Sequence, residues 1–351
     1  MFQLTNLLKN QIGWLDAKGS NAENVVASRI RFARNLAFSR FPHKASSQEL
    51  KAVLAQVSEA VRKAKEISRL AYVQLGEISQ TDARFLVERH LISADLAQNP
   101  QNRAVFIGNK ETISIMVNEE DHLRIQVIAP GLNLTHALKT AIDIDAALGK
   151  ELAFAYRDDF GFLASCPTNL GTGMRASALI HLPSIGLAKE TEAVLRNLSR
   201  LGLVARGFYG EGSQVFGDLF QISNATSLGK SETEFTDIMT GILKNVINHD
   251  AKIRDAIFKG PKHINLHDKI WRAYGTLSNA RLISYKESMQ ELSLLRLGLS
   301  NNIRFDKLNF AKLNEVLILT QPAHIQIAAG EELSPQERDI SRADLIRKIL
   351  S

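Results

Sequence analysis

Residues 104–128 read Ala-Val-Phe-Ile-Gly-Asn-Lys-Glu-Thr-Ile-Ser-Ile-Met-Val-Asn-Glu-Glu-Asp-His-Leu-Arg-Ile-Gln-Val-Ile. Ala104–Gly108, Thr112–Val117 and Leu123–Ile128 are short, β-branched runs. Gly108-Asn109-Lys110 and Asn118-Glu119-Glu120-Asp121 separate them, so the stretch predicts an antiparallel meander with an acidic loop at one tip. Outward from it the period changes. Ser46 and Glu49 form a capping box ahead of Leu50, Val53, Leu54, Val57 and Val61 at helical spacing. Helices are expected from Thr81 to about Leu91, from Thr135 to Ala147 with Gly149 as its stop, and from Leu187 to Leu201, closed by Gly202. Phe160–Ser165, Leu203–Phe208 and Leu219–Ser223 read as further strands. From Ser231, which forms a second capping box with Glu234, the pattern turns helical. Phe235, Ile238, Met239, Ile242, Leu243, Val246 and Ile247 trace one stripe, suited to a core or to a dimer seam. The expected fold is α+β: an antiparallel sheet flanked by helices over residues 1–255, then an all-helical C-terminal domain over 256–351.

The chain has 351 residues, 45% hydrophobic and 23% charged, with a single cysteine and a net charge of +6. A lone cysteine makes no internal disulfide. No apolar run reaches the ~20 residues of a membrane span, and the first residues lack the layout of a signal peptide. A soluble, cytoplasmic protein is expected, without direct contact to membrane or nucleic acid. The positive balance suits an anionic partner, but its cations are not gathered in the blocks of a nucleic-acid tail.

Several familiar cradles are absent from the sequence. There is no G-x-x-x-x-G-K-[ST] loop, and Gly210-Glu211-Gly212 lacks the glycine at 215 that a dinucleotide fingerprint needs. No Cys/His set has zinc spacing, so no metal ligands of the protein's own are expected. A G-x-S-x-G elbow is missing too. What remains is a series of arginines beside strand ends and glycines. Ser28-Arg29-Ile30-Arg31 puts two guanidinium groups on one side of an extended segment. Arg124 follows the acidic loop, Arg175 lies in Gly171-Thr172-Gly173-Met174-Arg175, read as a loop feeding a helix, and Arg206 precedes Gly207. Any one of them alone is more simply a solvated surface arginine. Converging, they make a clamp for a triphosphate, because arginine forks bind phosphate oxygens bidentately and keep their charge.

Two further positions could carry chemistry. The acids at 119–121 are either an exposed hairpin tip or a group that binds and deprotonates a cationic nucleophile, with mutual repulsion raising at least one carboxyl. Cys166, ahead of Pro167-Thr168-Asn169-Leu170-Gly171, is either a buried inert thiol or one acidified by neighbouring cations.

Taken in order, Ser28-Arg29-Ile30-Arg31, Asn118-Glu119-Glu120-Asp121-His122-Leu123-Arg124, Cys166-Pro167-Thr168-Asn169-Leu170-Gly171-Thr172 and Arg175-Ala176-Ser177 resemble the motifs of the guanidino phosphotransferases, the arginine and creatine kinases. Within that family the sequence is most similar to the bacterial protein-arginine kinases. Its first motif begins at residue 28, without the N-terminal helical domain of the small-metabolite kinases, and about a hundred helical residues follow the catalytic region. Arg338-Asp339-Ile340-Ser341-Arg342-Ala343 is also similar to their phosphoarginine-binding motif.

The resemblance implies transfer of the γ-phosphoryl of Mg-ATP to arginine residues of proteins, marking them for stress response and proteolysis. The alternatives are a kinase for free arginine or another small guanidine, and a weakly active regulator that binds phosphoarginine. It implies that Arg29, Arg31, Arg124, Arg175 and Arg206 clamp phosphates. Ser28, Ile30, His90, the stretch Ala176, Ser177, Ala178 and Leu179, and the stretch Gly207, Phe208, Tyr209 and Gly210 would complete the nucleotide site. Glu120 would orient the acceptor guanidinium and take its proton, Cys166 would lie against it, and Glu211 would be a second carboxylate. Two departures bear on this: Tyr209 stands where the small-metabolite kinases carry an arginine, and Gln214 stands near a family acid. Arg338, Asp339, Arg342 and Ala343 would bind phosphoarginine allosterically. From the residues alone, Arg338 and Arg342 at i,i+4 repel by a few tenths of a kcal/mol (~0.3), which an anion between them would relieve; an ordinary charged helix face is the alternative. A homodimer and a small zinc-binding activator are the implied partners.

Overall fold

The computed structural model describes residues 7–8, 10–207, 216–261 and 263–351. The meander is present as β3 (Ala104–Ile107), β4 (Ile113–Val117) and β5 (Leu123–Pro130), and it forms part of an eight-stranded antiparallel sheet. The other strands are β1 (Val25–Arg34), β2 (Ala71–Gln74), β8 (Met174–His181), β9 (Leu203–Arg206) and β10 (Leu219–Asn224), in the order β2-β3-β4-β5-β1-β8-β10-β9. A separate short hairpin pairs β6 (Tyr156–Arg157) with β7 (Gly161–Phe162).

Alternation along the strands sorts the two faces. In β1, Ile30 and Phe32 point into the main core, where they meet Ile115, Ile125, Ala176, Ala178 and Ile222 from neighbouring strands. That face is covered by α1 (Ser47–Lys63), α4 (Leu134–Gly149) and α7 (Glu232–Lys259), which bring in Val53, Val57, Ala137, Ile144, Met239, Leu243 and Ile247. Both expected capping boxes form: Ser46 and Ser231 accept from the backbones of Glu49 and Glu234, whose carboxylates return the bond. Between these helices lie α2 (Gln80–Glu88), α3 (Ala94–Gln98), α5 (Pro183–Leu187) and α6 (Thr191–Arg200). The C-terminal region is helical, as expected, from α8 (His263–Asn279) through α9 (Tyr285–Ser300), α10 (Phe310–Leu319) and α11 (Pro322–Ala329) to α12 (Pro335–Leu350). Its core takes in Ile270, Leu295, Val316 and Ile346, together with Trp14 and Leu15 from the N-terminal segment. Among the described residues, no helix is long and apolar enough to cross a membrane.

Several elements differ from the sequence reading. Arg175 lies within strand β8, paired opposite Arg31, and not in a loop that feeds a helix. Its neighbours Ala176, Ser177 and Ala178 have little intrinsic strand preference, and pairing with β1 and β10 on either side overrides that. The helix expected over Leu187–Leu201 is two helices, broken where Lys189 takes a left-handed φ of 62°. The helix expected to reach Leu91 ends at Glu88, because His90 is left-handed as well. Of Phe160–Ser165 only Gly161–Phe162 is paired. Helix α7 runs through the expected 255/256 boundary to Lys259.

Candidate active site

The second face of the sheet carries a polar strip between two apolar clusters, one holding Ile128 and Leu219 and the other Val105 and Met116. Side chains at alternate positions of adjacent strands face one cavity of about 1050 Å³, lined among others by Arg29, Arg31, Arg124, Arg175 and Arg206. The register explains why they meet: Arg31 pairs with Arg175 across β1 and β8, Arg29 with Ser177, and Ala33 with Arg124 across β1 and β5. Among the described residues, hydroxyls partner two of them. Arg29 Nε donates to Ser177 Oγ at 3.3 Å, and Arg175 reaches Ser223 Oγ through Nε at 3.3 Å and Nη2 at 3.2 Å. Burial, then the Arg124 and Arg175 guanidiniums, lower the Arg29 pKa to about 9, and burial, then Arg29, Arg124 and Arg175, push Arg31 far down. Arginine keeps its proton at neutral pH, so the stress on these cations is relieved by an anion rather than by deprotonation. Sequence spacing had singled out these five arginines, and the structure brings all of them to the cavity.

His90 lies beside them. Its carbonyl accepts from Gln126 Nε2 at 2.6 Å, and its ring meets Trp14 edge-on at 5.7 Å. Burial and the Arg29 and Arg31 charges lower its pKa to about 3, so the imidazole is neutral in the physiological range.

The acidic tip closes the other side. Arg124 Nη1 donates to Glu119 Oε1 at 2.6 Å, which also accepts from Ser93 Oγ at 2.6 Å, while Arg124 Nη2 lies 3.4 Å from Glu120 Oε2. Asp121 is turned away from the cavity, accepting from Asn35 Nδ2 and Ser165 N at 2.7 Å each. Glu120 is exposed, at 44% for its side chain, and its carboxyl is raised: partial desolvation is the largest cause, Arg124 opposes it, and the acids Asp121 and Glu119 add to it. The repulsion expected from sequence is therefore real but secondary. Cys166 is partly exposed on the cavity wall, with Sγ 3.1 Å from Thr168 Oγ1. Two glycines shape the chain between Cys166 and β8. Gly171 at φ 95° and Gly173 at φ 64° would place a Cβ 2.7 Å from Ser227 O and 2.6 Å from Ala33 O, respectively.

Not every residue named from sequence reaches the cavity. Ile30, Ala176 and Ala178 point into the opposite core, and Ser28 Oγ is spent on Gly131 O at 2.7 Å. Ser177 and Leu179 line a small side chamber with Trp14 and His90. Gly207 follows β9, while Phe208, Tyr209, Gly210, Glu211 and Gln214 lie outside the described residues. Conversely, Asp95, Asn99 and Arg103 line the cavity without having been anticipated. Arg103 directly precedes β3, a strand-end position of the kind that flagged the other arginines.

The C-terminal motif differs from its expected geometry. Arg342 is buried, its Nε donating to Thr320 O at 2.8 Å and its Nη1 to Ile283 O at 3.0 Å and to Asp339. Ala343 is core. Arg338 donates to Leu333 O at 2.9 Å and lines a separate groove of about 640 Å³ between α2 and α11. Arg342 thus has interior partners of its own, whereas Arg338 faces the groove.

One polar cavity thus gathers five arginines, the Glu120 carboxyl and the Cys166 thiol. The profile of the ATP:guanido phosphotransferase C-terminal catalytic domain matches residues 52–253. The chain belongs to that family. It is a phosphotransferase, and ATP is the family's donor. A second profile, the protein-arginine kinase McsB C-terminal domain, matches residues 263–351. Among similar proteins, the protein-arginine kinase of Symbiobacterium thermophilum is 43% identical over 341 residues, 96% of each chain. That of Bacillus subtilis is 40% identical over 339 residues, covering 96% of this chain and 93% of its own. Among solved structures, a lombricine kinase superposes with a TM-score of 0.60 at 23% identity, covering 71% of both chains. The duplicated taurocyamine kinase of Schistosoma mansoni gives 0.61 at 23% identity, covering 75% of this chain and 40% of its own. These two likenesses are of fold.

Proposed function

We propose that this family member transfers the γ-phosphoryl of ATP to the guanidinium of arginine residues in proteins. The observation that carries the reading is one cavity lined by Arg29, Arg31, Arg124, Arg175 and Arg206 and also by Glu120 and Cys166. Its support is similarity over nearly the whole length to proteins named protein-arginine kinase, C-terminal region included. The arginine face binds the phosphates and spreads the charge that develops on them. Glu120 receives the acceptor guanidinium. As its nitrogen bonds to the γ-phosphorus, the bond from that phosphorus to the bridging oxygen breaks, ADP departs, and Glu120 accepts the displaced proton. A raised carboxyl suits this role, since it is a stronger base than a free one. Cys166 lies against the acceptor on the adjoining wall, and Glu211 is the second carboxylate. Alignment of donor and acceptor supplies most of the acceleration.

Magnesium would come with the nucleotide, where it neutralises phosphate charge. Among the described residues no group of three His, Cys, Asp or Glu side chains converges to cage an ion. We further read the protein as a cytoplasmic homodimer in stress response and proteolysis, assisted by a small zinc-binding activator, as the family resemblance implies. Phosphoarginine regulation through the 338–343 motif fits the resemblance if Arg338 supplies the accessible cation, while Arg342 fixes the helix.

The test is γ-labelled ATP with magnesium and an unfolded, arginine-bearing protein, set beside free arginine. Acid-labile label on the protein, absent in Glu120→Ala, is expected. Label on free arginine alone would place the chain with the metabolite kinases, and nucleotide binding without transfer to either would leave the regulator.

A further inference from the structure

His90 reaches the cavity along a strained path. Helix α2 ends at Glu88, Arg89 is wholly buried, and His90 then takes a φ of 57°. Across from it Lys110 and Glu111 are left-handed too, at φ 62° and 59°. Such conformations cost a non-glycine residue about 1 kcal/mol each and persist only where the surroundings enforce them. What enforces them here is a buried ion pair. Arg89 Nε donates to Glu111 Oε2 at 2.6 Å, and Arg89 Nη2 pairs with the other carboxylate oxygen and with Leu7 O at 3.1 Å.

The remaining Arg89 nitrogen, Nη1, lies 3.3 Å from Nε2 of His324, on α11 of the C-terminal region. His324 Nδ1 lies 2.9 Å from Glu88 Oε2, and Glu88 also accepts from the backbone N–H groups of Ala323 at 2.8 Å and His324 at 2.9 Å. One tautomer satisfies every partner: Nδ1–H donates to Glu88, and Nε2 accepts from Arg89. Glu88 thus caps the first turn of α11, while its chain neighbour Arg89 precedes the histidine of the cavity. A buried ion pair is a poor way to hold helices together, because apolar packing of the same volume does as well or better. It does fix a single arrangement, since any other leaves a buried charge unpaired.

We propose that Glu88, Arg89, Glu111 and His324 form a positioning network through which α11 of the C-terminal region holds His90 beside Arg29 and Arg31. None of the four lines the cavity, so they act through His90 and not on substrate. The proposal rests on reading that cavity as the nucleotide site.

The experiment uses the full chain in a Trp271→Phe background, which leaves Trp14, edge-on to His90, as the fluorophore. His324→Asn keeps the donor to Glu88 and loses the contact with Arg89. Its expected effects are a changed Trp14 emission without ligand, about five- to tenfold weaker ATP binding by calorimetry, and an unchanged KM for the acceptor protein. Should His324→Asn fail to fold, Glu88→Gln, which keeps an acceptor for the α11 backbone, is read the same way. Unaltered emission and ATP affinity in a folded variant would overturn the network. So would an equal loss for ATP and acceptor alongside a lowered unfolding midpoint, the mark of general destabilisation. A parent protein that binds no ATP would instead overturn the reading of the cavity, and Trp14 emission would still report whether α11 positions His90.

Discussion

At Glu120, partial desolvation lifts the carboxyl above its ordinary range while Arg124, 3.4 Å away, pulls it back. A base must be ionised to work, so the acid limb of kcat/KM is expected above the value of a free glutamate. Glu120→Gln is expected to remove that limb and to lower kcat by a factor of about 10² to 10⁴. The same shift has a sign in stability. Because the folded state holds the proton more tightly, the group's contribution is complete below the ordinary carboxylate range and is lost as pH rises through the raised value. Denaturant midpoints measured across that window are expected to decline less in Glu120→Gln than in the parent. Arg29 and Arg31 share a face because a strand repeats every second residue, and that rule needs no tertiary information. Arg342 was the opposite case. Its carbonyl partners, Thr320 just after α10 and Ile283 in the loop before α9, are distant in sequence, and no spacing within its own helix reveals them.

Among elements, β8 depends on glycine in a way that a substitution exposes. A Cβ on Gly173 would lie 2.6 Å from both Ala33 O and Arg34 Nη1, in a left-handed backbone. Arg34 has little room to yield, since it pairs with Asp145 at 2.8 Å and donates to Thr172 O at 2.9 Å. Gly173→Ala is expected to cost about 2 kcal/mol or more in chemical denaturation, combining strain with displaced partners. Ser231→Ala, by contrast, removes only the cap of α7 and is expected to cost about 1 kcal/mol in the same assay. Those caps were legible because they are local: a serine, two residues, a glutamate. Strand β8 was not, because glycines before Arg175 look like a loop and Ala-Ser-Ala carries no β-branched signal. Its identity is conferred by the strands on either side. The break at Lys189 and the early end of α2 were hidden for a related reason: a left-handed lysine or histidine leaves no mark in sequence, unlike glycine or proline.

Across the whole molecule, the surplus of six positive charges and the arginine-lined cavity act on the same ligand at different ranges. The long-range field is screened within about 10 Å at 0.1 M salt, whereas partly buried contacts are screened much less. Stopped-flow measurements are therefore expected to show ATP association slowing as salt rises, with dissociation changing less. The layout of sheet then helices was legible at this scale, because the hydrophobic period switches near Ser231. The way the C-terminal helices meet α2 was not, since Glu88 and Arg89 lie far from His324 in sequence and carry no motif.

Arg124 holds one last consequence. Its guanidinium spans Glu119 and Glu120. On the proposed function Glu120 receives the guanidinium of another protein, and here it already faces one tethered to its own chain; a phosphate that drew the Arg124 fork away would also clear that carboxylate.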